Sequence, residues 1–220
     1  MESSQRFPHN HDFQKVPEKS ARETLKYKRS AAQLCYLLGP SFSQWSFTKT
    51  ALRRLTPYQI SHWLADTMAA RWGHDCTVWD AFANIGSDAE KFAQSMSQVI
   101  CSESAHISDT LADNLRALGH ENARLERDIA ISRTETWPKA DIAYLNPPWG
   151  AMYDRINRDC FDISKISIEE QTFATVFQRA RKRYHVVVVV PSKGVDFAEQ
   201  YPSDFTYAFA QLTFHFYDKD

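Results

Sequence analysis

Two rhythms of apolar residues alternate along this chain. Behind Thr56-Pro57, the residues Ile60, Trp63, Leu64, Thr67 and Met68 recur at the three- and four-residue spacing of a helix face. Thr56 is expected to cap that helix, with Pro57 in its first turn. Further on come short runs rich in β-branched and aromatic residues: Thr77–Phe82, Gln98–Glu103, Ala123–Asp128, Asp141–Asn146 and His185–Ser192. Each reads as a strand. The unbroken valines Val186 to Val190 suit a strand buried on both faces. Helical patterns separate these runs at Asp88–Ser97, at Ser108–Leu118 (stopped by Gly119) and at Ile168–Arg183. A further helix is expected over Ala21–Leu38, ended by Gly39-Pro40, and Phe205–Asp218 reads as two strands of a closing hairpin. The order predicts an α/β fold with a mostly parallel seven-stranded sheet and a C-terminal antiparallel hairpin. A disordered tail is expected over residues 1–20, a basic helical extension over 21–70, and the main domain over 71–220.

Composition narrows the picture. A chain of 220 residues with 43% hydrophobic and 24% charged content is long enough for a real core. No apolar run approaches the length of a membrane span, and the N-terminal MESSQRFPHNHDF has no apolar signal core. A cytoplasmic or nuclear protein is expected. The four cysteines (Cys35, Cys76, Cys101, Cys160) are scattered without a C-x-x-C pair and read as small buried hydrophobes. The histidines show no metal-ligand spacing, so no metal is expected.

Charge is distributed unevenly. The formal net charge is −1, yet residues 1–65 hold ten Lys or Arg against four acids, or +6, leaving −7 on residues 66–220. A basic arm on an acidic body predicts a polyanionic partner. Its aromatic neighbours Tyr36, Phe42, Trp45 and Phe47 suit nucleic acid, with Lys49, Arg53 and Arg54 as candidate substrate contacts.

Two loops carry candidate chemistry. The first strand ends in WDAFANIGSD, where Gly86 stands just before a helix N-terminus, a place with free N–H groups and a positive dipole end. Only one glycine is present, so G-x-G-x-x-G is absent and a dinucleotide site has little support. Asp80, Glu103 and Asp128 fall at the tips of three consecutive strands. The order Asp80-x-Phe82-x-x-x-Gly86 resembles the S-adenosylmethionine loop of Rossmann-like methyltransferases, which implies a cationic amino group for Asp80; Glu103 suits ribose hydroxyls and Asp128 an adenine amino group. The fourth strand runs into Asn146-Pro147-Pro148-Trp149. An exocyclic base amine is a poor nucleophile because its lone pair is delocalised into the ring. Two acceptors, the Asn146 side-chain oxygen and the Pro147 carbonyl, can hold both of its protons and redirect that lone pair. Trp149 can stack on the base, which offsets part of the few kcal/mol of unstacking.

The residues Asp80–Ala93 (DAFANIGSDAEKFA) with Asn146–Gly150 (NPPWG) resemble the trimethylguanosine synthase family, RNA cap guanine-N2 methyltransferases of Rossmann-like fold. Thr56–Ala65 (TPYQISHWLA) is similar to that family's Thr-Pro helix. The resemblance implies S-adenosyl-L-methionine as cofactor, held by Asp80, Phe82, Gly86, Glu103, Asp128 and Asn146. It also implies capped RNA as substrate, with Asn146, Pro147 and Trp149 catalytic and Trp149 stacked on methylated guanine. The chain departs from the family at Asn84 and Ser87, where glycines are usual, at Ala151, which replaces a second glycine, and at Asn146, where the family has Ser. Asn146 is typical of adenine-N6 and other guanine-N2 enzymes, so adenine N6 of DNA or RNA is the second reading. The glycine-poor loop motivates a third: a degenerate methyltransferase fold acting as a nucleic-acid-binding or scaffold subunit. Oligomeric state is not legible.

Overall fold

The computed structural model describes residues 30–47, 51–148, 166–191, 196–209 and 212–220, without the side chains of Arg53, Arg54, Asp196 and Ala198. Its sheet contains β1 (Thr77–Asp80), β2 (Gln98–Cys101), β3 (Ala123–Leu125), β4 (Ile142–Leu145), β7 (His185–Pro191), β8 (Phe205–Phe209) and β9 (Leu212–Tyr217). They lie in the order β3-β2-β1-β4-β7-β9-β8. The first five are parallel, and β9 runs antiparallel to both β7 and β8. A separate two-stranded ribbon pairs β5 (Ser167–Ile168) with β6 (Gln171–Thr172).

The five valines of β7 explain why the sheet has helices on both sides. Side chains along a strand alternate faces, so Val187 and Val189 join one core while Val186, Val188 and Val190 join the other. Each fully buried valine contributes on the order of 1.5 kcal/mol or more. β4 divides the same way: Ile142 and Tyr144 face the first core, Ala143 and Leu145 the second. The first core is covered by α2 (Tyr58–Trp72), α3 (Ser87–Ser95) and α4 (Ala105–Ala117). The second is covered by α5 (Phe173–Arg181), by α6 (Asp196–Gln200) through Phe197, and by Ile131 and Trp137 ahead of β4. α1 (Ala31–Leu38) and two 3-10 turns (Phe42–Gln44, Ala51–Arg54) form a third cluster around Ile85 of the loop after β1.

Several expectations need correction. Thr56 does not cap α2; the residue at the cap is Pro57, without a side-chain bond, and the Thr56 hydroxyl is used elsewhere. The helix expected over Ile168–Arg183 starts only at Phe173. Thr172 caps it by accepting from the Thr175 N–H at 3.2 Å, and Glu169 at φ +52° turns the β5–β6 ribbon just before it. α1 begins at Ala31, capped by Ser30 in a reciprocal box with Gln33; residues 21–29 of that expected helix lie outside the described residues. Cys101 is buried as expected, but Cys35 and Cys76 are half-buried.

His215 on β9 is 3% exposed and only hydroxyls face its Nδ1, Ser203 at 3.3 Å and Thr206 at 3.2 Å. Burial pushes its pKa down to about 4. A base with a depressed folded pKa is charged more readily in the unfolded chain, so its stability contribution is full above about pH 6.5 and is lost as pH falls toward 4. Thermal midpoints should therefore drop across that window, and His215→Gln should drop less steeply. Parallel curves for the two proteins would contradict the assignment.

Candidate functional site

The sheet order reverses between β1 and β4, so the crevice beyond their C-terminal ends is where this architecture places ligands. Asp80 pairs with Tyr144 across the two strands, and the Ala81 N–H donates to the Tyr144 carbonyl at 3.1 Å. Asn146, one step past β4, therefore stands beside the start of the β1–α3 loop.

Asp88, in the first turn of α3, organises the interior of this crevice. Thr56 donates to Asp88 Oδ2 at 3.1 Å, Tyr144 donates to the same oxygen at 3.0 Å, and Ser61 donates to Oδ1. Burial raises the Asp88 pKa, and the three hydroxyl donors with Asn146 work against that rise. The arrangement decides how Asn146 is turned. Its Nδ2 approaches Tyr144 Oη at 3.4 Å and Thr56 Oγ1 at 3.5 Å. Each hydroxyl has one proton, already directed at Asp88, and can offer only a lone pair. The group facing them must donate, so the amide NH₂ points inward and Oδ1 is left on the other side. These contacts are long, but the proton count fixes the orientation without relying on bond strength.

Asp80 is 1% exposed, and neither carboxylate oxygen has a hydrogen-bond partner among the described residues. Burial, then the neighbouring Asp88, pushes its pKa well above the carboxylate range; the Phe82 amide opposes this without reaching hydrogen-bonding geometry. An acid with a raised folded pKa is ionised more readily in the unfolded chain, so the fold carries a cost that grows as pH rises past the unfolded value. Asp80→Asn is accordingly expected to raise the thermal midpoint at neutral pH by a few degrees, on the order of 1 kcal/mol. An unchanged or lower midpoint would contradict an unpartnered charge.

The other sequence candidates are placed as follows. Gly86 caps α3 at φ +95°, a conformation that favours glycine, and a Cβ there would come within 2.8 Å of Leu111 Cδ1, so that leucine tip would have to shift. Asn84, standing where the resembled family has glycine, adopts φ +51°; its Nδ2 donates to the Ala51 carbonyl at 3.2 Å. Glu103 is turned onto its own surroundings. Its Oε2 accepts from the Asn84 N–H at 2.7 Å, and its Oε1 accepts from the Ser104 N–H and hydroxyl, both at 2.7 Å. Three of roughly four carboxylate acceptor positions are thereby taken. Phe82 is half-buried at the edge of the second core, and Asp128 is exposed past β3. Pro147 is buried and Pro148 exposed. Trp149 and Lys49 lie outside the described residues, as do the side chains of Arg53 and Arg54.

Sequence reasoning overlooked Ser61, Tyr144 and Asp88, and misread Thr56. One signal was present: Tyr144 is the polar aromatic of an otherwise aliphatic strand, two residues before Asn146 and on the same face. Among the described residues no group of three His, Cys, Asp or Glu could hold a metal, and no helix is long and apolar enough to cross a membrane.

This strand order, with its antiparallel β9 between β7 and β8, is the Rossmann-like fold of methyltransferases, and solved structures agree. A protein of Pyrococcus horikoshii proposed to be an RNA methyltransferase aligns at TM-score 0.53 with 16% identity, over 80% of this chain and 92% of its own. The precorrin-6y C5,15-methyltransferase of Geobacter metallireducens aligns at 0.52 with 14% identity, over 79% and 92%. A SAM-dependent methyltransferase of Neisseria gonorrhoeae aligns at 0.52 with 22% identity, over 79% and 73%. No family model and no curated protein matches the sequence. At these identities the likeness establishes the fold, and the neighbours' substrates differ among themselves.

Proposed function

We propose that this chain is an S-adenosylmethionine-dependent methyltransferase acting on an exocyclic amino group of a nucleic-acid base, with guanine N2 of an RNA cap as the first candidate and adenine N6 as the second. The observation that carries the reading is the Asn146 amide at the strand-order switch, with its NH₂ turned into the Asp88 network and its oxygen available to accept. Bound S-adenosylmethionine supplies an electrophilic methyl group on a sulfonium. Asp80 fits the cofactor's cationic amino group, since a cation would relieve the isolated buried carboxylate. Asn84 and Glu103 keep the loop in the left-handed turn that the family reaches with glycine.

In this reading Asn146 Oδ1 and the Pro147 carbonyl accept the two amine protons, which localises the nitrogen lone pair and directs it at the methyl carbon. The methyl group would pass from sulfur to this nitrogen while Asn146 and Pro147 hold the amine, and one amine proton would pass to solvent. Trp149 is assigned to stacking on the base. The basic N-terminal arm is assigned to RNA, with capped RNA as the partner that the resemblance favours.

The test is transfer of labelled methyl from S-adenosylmethionine to capped and uncapped RNA and to DNA, followed by digestion to nucleosides. N2-methylated guanosine confirms the first candidate and N6-methyladenosine the second. Folded, cofactor-saturated protein that labels none of these substrates would contradict both.

A further inference from the structure

The groove on the flank of α5, away from the strand-end site, has its own chemical character. It is an open, shallow depression of about 510 Å³, lined by Arg133, Arg179, Lys182 and Arg183, with Glu135 as its one acid. Such a cluster is unexpected on a body where residues 66–220 carry −7.

The arginines elsewhere make the contrast sharper. Eight arginines have described side chains. Five are paired with carboxylates: Arg71 with Asp218, Arg116 with Asp113, Arg124 with Glu126, Arg127 with Asp109 and Arg181 with Asp220, all within 2.6–2.8 Å. The remaining three, Arg133, Arg179 and Arg183, have no carboxylate partner among the described residues, and all three line this groove.

Two of them are held in place by neutral groups. Arg179 donates to Gln171 Oε1 at 2.7 Å; Arg183 donates to the Thr134 carbonyl and lies 5.8 Å from the Trp137 ring centroid. Glu169 accepts from the Ile131 N–H at 3.1 Å and the Ser132 N–H at 2.9 Å; against burial, these bonds and then the Arg133 charge hold its pKa down, but no ion pair joins it to Arg133. The guanidinium groups of Arg179 and Arg183 are oriented by neutral acceptors and form no ion pair among the described residues, as an anionic ligand requires.

We propose that this groove binds the phosphodiester backbone of single-stranded RNA. The choice of RNA as the polyanion rests on the proposed function; the anion site itself rests on the groove. α5 is nine residues long and runs back from the sheet edge that holds Asn146. Its C-terminal end is thus about 13 Å from its start. A strand presenting a base at Asn146 can lie along this flank.

The experiment is fluorescence anisotropy of a labelled RNA of roughly ten nucleotides with the full chain, without cofactor, across a salt series. Arg179→Gln/Lys182→Gln, both exposed positions, should weaken binding about tenfold and reduce the salt slope by about 1.4, or 0.7 per lost phosphate contact. Arg116→Gln should change neither, and the N-terminal arm contributes equally to every protein compared. Unchanged affinity and slope in the double variant would overturn the proposal. So would a double variant that loses binding to phosphatidylserine vesicles or a phosphoserine peptide while keeping its RNA affinity. Because no methyl transfer is read, a failed transferase reading would leave this measurement standing, and the converse also holds.

Discussion

Asn146→Ala should lower the rate of methyl transfer by about 10²–10³-fold, the usual effect of removing one preorganised hydrogen-bonding group from a reacting centre. If Asn146 accepts from the amine as proposed, the loss falls mainly on kcat, because that acceptor acts as the nitrogen changes hybridisation. Asn146→Asp is the sharper companion. It keeps an acceptor oxygen but loses the NH₂ that faces Thr56 and Tyr144, and sets a second carboxylate against Asp88. It is expected to remain far below wild type. Near-wild-type transfer by Asn146→Asp would show that the inward donor has no role.

Asp88→Ala is expected to have the largest effect on stability. It leaves the hydroxyls of Thr56 and Tyr144 without their acceptor at positions that are 2% exposed or less, and leaves Ser61 only the Pro57 carbonyl at 3.5 Å. A buried unsatisfied donor costs about 1–3 kcal/mol, and water entering the vacated space recovers part of it. A net loss of about 3–5 kcal/mol follows, a fall in thermal midpoint of roughly 10 °C for a domain of this size. Asp88→Asn, which retains one acceptor, should lose less than half as much. Thermal melts of both variants check this, and an Asp88→Ala midpoint within a degree or two of wild type would contradict the network.

Much of the fold was legible because its signals are local. The valine run of β7 and the alternation in β4 are consequences of strand period alone, and the count of seven strands follows from five parallel units and a hairpin. The β5–β6 ribbon was hidden because Ile168, Gln171 and Thr172 fit the helical spacing of the α5 pattern. Only the φ +52° turn at Glu169 and the Thr172 cap separate them. Asp80 and Asn146 were picked out from the sequence, and the fold sets them at the ends of the adjacent strands β1 and β4. The Asp88 network was not, since its partners lie 27 to 56 residues from Asp88 and meet only through the packing of α2 and α3 on β4. Gly86 was singled out for the free N–H groups of a helix N-terminus; it stands at the cap of α3 with φ +95°, and its near neighbour is Leu111. Glu103, chosen for ribose, holds the loop itself.

The central claim is that the crevice between β1 and β4 takes a cationic methyl donor against Asp80. Calorimetric titration of S-adenosylmethionine into the full chain tests it most directly. The account predicts a dissociation constant below about 100 μM, or roughly −5.5 kcal/mol, weakened at least tenfold in Asp80→Asn even though that variant melts higher. Absence of binding to folded wild-type protein, or equal affinity in the variant, would contradict it.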